Sequence, residues 1–154
     1  MIRYRRPKQD DPVIYGLIEK ELVPHSHLSS KEIDKIRRDL PGRMKHGVTL
    51  VAASNYDSDP LAFIHFMIHG ELLYIDMIAV DRNHQHKRYG KSLMAKAENF
   101  AASRGCSRSK VLVDAGNTHA HLFYSKLGYR TVRFVAQTQC YEMEKSLVNL
   151  RLLP

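Results

Sequence analysis

Apolar residues recur along this chain in two rhythms, and the change from one to the other marks out its elements. MIRYRR reads as a short first strand. Over residues 11–22, DPVIYGLIEKEL, the positions Val13, Ile14, Leu17, Ile18 and Leu22 make a stripe at helical spacing. Asp11 is placed to cap that helix, with Pro12 at its first position. A loop, VPHSHLSS, follows, and Ser29-x-x-Glu32 is a capping-box pattern. It opens a second amphipathic helix through Ile33, Ile36, Leu40 and Met44, with a disturbance expected at Pro41.

The rhythm then shortens. VTLVAAS (48–54), LAFIHFMIH (61–69) and ELLYIDMIAV (71–80) are apolar runs separated by turn signals at Asn55 to Pro60 and at Gly70. The last two are close enough to form a hairpin. A turn at His69-Gly70 sets His65 opposite Tyr74 and Phe63 opposite Asp76, and alternation puts Tyr74, Asp76 and Ile78 on one face. Helical spacing returns from Gly90 to Arg104, with Leu93, Ala97, Phe100 and Ala101 inward and Gly105 as the stop. KVLVDA (110–115) reads as a buried strand, and residues 118–127 as a short helix with Ala120, Phe123, Tyr124 and Leu127 on one side. YRTVRFV and QCYEMEKSL close the chain as strands. The order βααβββαβαββ predicts an α/β (α+β) layered domain: a mixed, mostly antiparallel sheet of about six or seven strands flanked by about four helices.

Composition narrows the class. A chain of 154 residues, 44% hydrophobic and 26% charged, is that of one soluble globular domain. No run reaches the ~18 apolar residues of a membrane span, and MIRYRRPKQDD has no apolar stretch of a signal peptide behind it. Two cysteines, Cys106 and Cys140, make neither a disulfide framework nor a CxxC site, so a cytoplasmic location is the expectation. The net charge of +8 favours polyanionic partners, either nucleic acid or a small ligand carrying phosphates.

The stretch HQHKRYGKSL (84–93) bears on that choice. Its Gly90-Lys91-Ser92 has the tail of a nucleotide P-loop, but the glycine that loop needs five residues earlier is Gln85. Gln85-x-x-Arg88-x-Gly90 instead resembles the Q/R-x-x-G-x-G/A signature of the GNAT superfamily of acyl-CoA-dependent N-acetyltransferases, with Arg88 standing where the family usually has its first glycine. The preceding IAVDRNHQHKR resembles the family's L-x-V-x-P-x-x-Q/R approach. NTHAHLFYSKLGYR (117–130) resembles its N-x-x-A-x-x-F/L-Y-x-K-L-G-F helix, with Asn117, Ala120, Phe123, Tyr124, Lys126, Leu127, Gly128 and Tyr129 in register.

The resemblance runs from about residue 48 to 145 and implies an acyl-CoA-binding core there. By the same resemblance, residues 1–47 would form a variable, substrate-side part of the same 1–154 domain. It implies acetyl-CoA as co-substrate. Gln85, His86, Lys87, Arg88, Tyr89, Gly90 and Lys91 would wrap the pyrophosphate, where helix-terminal N–H groups and the helix dipole attract anions. The main chain of Ile78, Ala79 and Val80 would pair with the pantetheine arm, and Asn117 would touch the cofactor or cap its helix. Tyr124 would lie near the sulfur and protonate the departing thiolate. The base that frees the amine is expected from the fourth strand, as Tyr74 or Asp76, with His65 as base or relay.

The function implied is N-acetylation of a primary amine by direct attack in a ternary complex, the acceptor open. A non-catalytic acyl-CoA sensor and a basic nucleic-acid module built on RYRRPK and KIRRDLPGRMKHG are the alternatives; with no tryptophan in the chain and Tyr4 the one aromatic within those clusters, nucleic acid is the weaker one. The pairs His25/His27, His84/His86 and His119/His121 have i, i+2 spacing, which converges only on a strand, and they lie in loops or helix starts, so no metal is expected. The tail LVNLRLLP is apolar enough to dock on the domain or on a partner chain, as in a homodimer.

Overall fold

Among the described residues, strand pairing is antiparallel everywhere but once. The computed structural model describes residues 1–151. Seven strands form one sheet: β1 (Ile2–Tyr4), β2 (Val48–Ala52), β3 (Ala62–His69), β4 (Leu72–Val80), β5 (Arg108–Asp114), β6 (Arg130–Val135) and β7 (Cys140–Ser146). Their order is β1-β2-β3-β4-β5-β7-β6, with β4 and β5 the single parallel pair. The expected α/β class and mixed, mostly antiparallel sheet are what the chain forms.

Two layers of helix cover the sheet. On one face α1 (Pro7–Leu17) and α2 (Ser30–Met44) bury Ile14, Leu17, Leu40 and Met44 against Val51, Phe63 and Ala79. On the other, α3 (Tyr89–Ser103) buries Leu93, Met94, Ala97 and Ala101 against Ile64, Phe66, Leu73, Ile75 and Val111. The short α4 (Thr118–Lys126) adds Tyr124 to this larger core. Fully burying a leucine- or phenylalanine-sized side chain contributes about 1.5–3 kcal/mol, so these two clusters carry most of the folding free energy. Leu147 is buried and Leu150, on α5 (Val148–Arg151), packs on the α3 side, so this part of the tail docks on its own domain. Residues 152–154 of LVNLRLLP lie outside the described residues. No helix among the described residues is long and apolar enough to cross a membrane.

Three local expectations are corrected. The first helix begins at Pro7, not Pro12, with Arg6 before it. Asp11 therefore caps nothing; it pairs with Arg5 of the segment after β1 at 2.6 Å, as Asp10 pairs with Arg3 at 2.7 Å. These ion pairs set the first helical turns, from Pro7 onward, beside β1. α2 runs through Pro41 to Met44. Pro41 is exposed, so the carbonyl it leaves without an amide faces water. The expected capping box is present, with Ser29 accepting from the Glu32 amide.

The third correction concerns the hairpin. Its turn is the two residues Gly70 and Glu71, with Gly70 at φ +60°, so His69 pairs with Leu72. Met67 thus faces Tyr74. Beyond Phe66↔Ile75 the register shifts, and His65 faces Met77 while Phe63 faces Ala79. Asp76 is the extra residue of this β-bulge. A bulge breaks the two-residue alternation. Leu73 and Ile75 point to the α3 side, and so do Ile78 and Val80, whereas Met77 and Ala79 pack on the α1–α2 side. Ile78 therefore does not share a face with Asp76.

Candidate active site

The bulge falls where β4 leaves its neighbour. β4 and β5 pair from Leu72↔Arg108 to Ile75↔Val111 and then part, although β4 continues to Val80 and β5 to Asp114. Among the described residues, the β4 amides and carbonyls that point toward β5 from residue 76 onward have no strand partner on that edge. An open edge of this kind accepts an extended, amide-containing ligand as if it were another strand. Ile78, Ala79 and Val80 lie on it.

This edge runs directly into the basic loop. Asp81 accepts from the Asn83 amide at 2.9 Å and turns the chain out of β4. The Gln85 amide group donates back to the Val80 carbonyl at 3.2 Å and to Glu21 at 3.1 Å. His86 and Arg88 then take left-handed conformations, φ 65° and 67°. Arg88 thus adopts the backbone a glycine would supply, at a cost of about 1–2 kcal/mol for a residue with a Cβ. α3 starts at Tyr89 with no side-chain cap and no acidic residue in its first turn, and its first closing bond is Ser92 N–H to the Arg88 carbonyl at 3.0 Å. The preceding amides and the dipole are left for an anion. Lys87, Arg88 and Lys91 are exposed around them. Gly90 is needed for a different reason: a Cβ there would come within 3.2 Å of the Phe123 ring. Its absence lets α4 lie against the start of α3.

That approach brings Tyr124 to the parting. Asn117 accepts from the Ala120 amide at 3.0 Å and so caps α4. Tyr124 is buried in the same cluster as Ile78, Val80 and Val113, edge-on to Phe123 and Tyr129. Burial pushes its phenol well above the usual tyrosine value, so it stays protonated at neutral pH. Beneath it lies a buried network: Ser109 Oγ is 2.6 Å from the Tyr129 hydroxyl, which donates to Glu98 at 2.8 Å, and Lys145 donates to Glu98 at 2.9 Å.

Tyr74, Asp76 and His65 gather on the opposite side of the sheet, under α2. Arg43 grips both carboxylate oxygens of Asp76, one of them through Nε at 2.9 Å. The Asp76 side chain is only 2% exposed, and that of Arg43 is 38% exposed. His65 is wholly buried, with Nδ1 2.7 Å from the Thr49 hydroxyl and Nε2 3.8 Å from Asp76. Burial lowers its pKa, with Asp76 opposing and Arg43 assisting. Burial raises that of Tyr74, with help from Asp76. The four expected catalytic residues thus divide, with Tyr124 on one side of the sheet and the other three on the other.

A strap crosses the mouth of the parting on the α1–α2 side. After α1 the chain forms a π-helical turn (Ile18–Leu22) and a 3₁₀ turn (Val23–His25). Glu21 holds it to the β4 end through Gln85 and through Arg82 at 3.0 Å. His27 holds it to the β5 end: its backbone amide donates to Asp114 Oδ2 at 2.9 Å and its ring Nδ1 bonds the same oxygen. Burial pushes the Asp114 carboxyl up, but hydrogen bonds from His27 and Gly116 outweigh it and hold its pKa below the usual value. Arg43, Glu21, His27 and Asp114 were not singled out from sequence. The His25-x-His27 spacing drew notice only as a metal pattern, and a partner 87 residues away leaves no local signal.

Residues 14–129 match the profile of the Acetyltransferase (GNAT) family. Among solved structures, the chain is similar to a PaiA N-acetyltransferase from Thermoplasma acidophilum in complex with coenzyme A, at 19% identity over 95% of this chain and 98% of that one, TM-score 0.77. It is also similar to the ribosomal-protein-S18-alanine N-acetyltransferase of Escherichia coli, at 17% identity over 96% and 93%, TM-score 0.71. A third is a GNAT family N-acetyltransferase of Escherichia coli in complex with CoA, at 18% identity over 99% and 85%, TM-score 0.69. At these identities the shared property is the fold. No curated protein matches the chain in sequence. The profile match spans most of the chain, from α1 through α4 to Tyr129, and on that ground this protein belongs to the GNAT acetyltransferase family.

Proposed function

We propose that the protein transfers an acetyl group from acetyl-CoA to a primary amine by direct attack within a ternary complex. The observation that carries this reading is the continuity of three features: the free β4 edge, the left-handed loop at His86 and Arg88, and the uncapped start of α3. The pantetheine arm pairs along Ile78, Ala79 and Val80. The pyrophosphate sits on the amides of residues 85–91, with Lys87, Arg88 and Lys91 supplying charge. Gln85 shapes this loop from behind, since its side chain is spent on Val80 and Glu21.

Catalysis in this reading is mostly placement. The thioester lies at the parting, where a β4 amide near Ile78 polarises its carbonyl. Tyr124, protonated and buried beside that point, donates to the thiolate as the carbon–sulfur bond breaks. Asp76 acts as a charged fixture and not as the base, because Arg43 occupies both its oxygens. His65 is shut off from substrate, and Tyr74 is a donor whose raised pKa keeps it neutral.

Thermal-shift titration with acetyl-CoA, CoA and ATP–magnesium tests the binding half. Acetyl-CoA and CoA at ~100 times their dissociation constants should each add about 2.7 kcal/mol, with ATP–magnesium weak. The transfer half is tested by thiol release from acetyl-CoA with a panel holding an amino acid, a peptide with a free N-terminus, an aminoglycoside and n-butylamine. No stabilisation by either CoA species would sink the proposal.

A further inference from the structure

The strap poses a question that the expected residues do not answer: which group takes the proton from the amine. Asp76 is engaged by Arg43, and His65 is wholly buried. His27 differs from both. Its side chain is 25% exposed, and its Nδ1 is held by an Asp114 carboxylate that is 17% exposed. A carboxylate accepting from Nδ1–H fixes the imidazole tautomer and leaves Nε2 as a lone pair directed away from it. Asp114 is the last residue of β5, on the strand that parts from β4. It lies on the face of Lys110 and Leu112, since Val111 and Val113 are buried toward α3. The dyad therefore stands at the rim of the parting on the α1–α2 side, across the sheet from Tyr124. An amine approaching from that side passes it.

We infer that His27, oriented by Asp114, is the base that deprotonates the acceptor amine, an inference that rests on the acetyl-transfer reading above. The ammonium gives one proton to His27 Nε2, and the freed nitrogen lone pair forms the carbon–nitrogen bond to the thioester carbonyl. As the carbon–sulfur bond breaks, the thiolate takes the Tyr124 proton, and the second proton shed by the nitrogen restores Tyr124. His27 passes its proton to solvent through its exposed edge, so one proton is released per turnover. The acidic groups facing His27 are Asp114 from β5 and Glu32 in the first turn of α2, whose carboxyl His27 helps to hold down. Cys140 on β7 faces Asp114.

Nitrogen-15 NMR of the full chain reads the dyad directly, with acetyl-CoA as the probe. His27 is expected as the Nδ1–H tautomer, with an Nε2 resonance that moves when acetyl-CoA saturates the protein. Asp114→Asn, whose amide donates to Nδ1, should invert the tautomer while the thermal shift by acetyl-CoA persists. An Nε2–H tautomer in the unaltered chain, or an Nε2 signal indifferent to acetyl-CoA, overturns the assignment. In turnover, His27→Gln should lower kcat/KM for n-butylamine at neutral pH by about 100-fold or more and remove the acidic limb of its pH profile. It should spare hydroxylamine, which is largely unprotonated there. Equal losses with both nucleophiles would mean that His27 only holds the strap. Loss of the thermal shift by acetyl-CoA in the unaltered protein would remove the acetyl-transfer reading itself, an outcome distinct from a silent His27.

Discussion

Arg43 of α2 and Asp76 of β4 lock together at the point where the sheet opens. The bulge turns Asp76 toward α2, and Arg43 meets it with two guanidinium nitrogens. One partner is nearly sealed from water and the other partly open, so removing the arginine strands a buried carboxylate. Arg43→Met should cost roughly 2 kcal/mol, below the 3–5 kcal/mol of a fully buried pair because Arg43 is partly solvated. Asp76→Leu in the same background should recover much of that loss. Urea unfolding of the single and double variants measures both, and additive losses would show that the two residues do not act as a pair.

Tyr124 tests the acid half of the proposed chemistry. Tyr124→Phe removes a hydroxyl and keeps the ring that packs on Phe123 and Tyr129. Binding of acetyl-CoA should be unchanged, while turnover drops by about 10²–10⁴-fold, the usual worth of a positioned proton donor. Unaltered turnover would place the proton source elsewhere.

Much of the fold is legible in the sequence, and the division follows the range of the interactions. The pattern of apolar positions located the seven strands and α1 to α4, because burying one face is a local requirement, met by residues three, four or two apart; the short turns of helix at 23–25 and 148–151 follow no such pattern. The bounds of α4 were legible because Asn117, which caps it, and Gly128, which follows its end at φ 96°, lie within a few turns of each other. The hairpin register was missed because it depends on which two residues turn and on whether a bulge intervenes; Gly70 was visible, but an extra residue at Asp76 leaves no mark in an apolar run. Arg43 and His27 were missed for a stronger reason. Their partners lie 33 and 87 residues away and meet only after the sheet is assembled.

Arg88 offers a separation of strain from charge. Its φ of 67° favours glycine, so Arg88→Gly should exceed Arg88→Ala in stability by about 1 kcal/mol, a difference readable in denaturant midpoints. Both variants lose the guanidinium, so both should bind CoA more weakly and with a shallower dependence on salt. A more stable alanine variant would mean that the loop is not left-handed at this position in solution.

His65 should make stability depend on pH above the range where carboxylates titrate. Its ordinary pKa of 6.5 is lowered in the fold, chiefly by burial, so the unfolded chain binds the proton more readily than the native one. The contribution is complete above about pH 6.5 and is lost as pH falls from there toward the depressed native value. The lowered carboxyls of Asp10, Asp114 and Glu142 act in the same direction but begin near their ordinary values of 3.8 and 4.5. A decline in unfolding free energy that starts near pH 6.5 is therefore assigned to His65. His65→Leu combined with Thr49→Val, which removes the hydroxyl partner as well, should flatten the curve down to the carboxylate range. Persistence of the decline in that double variant would move the titration to one of the other histidines.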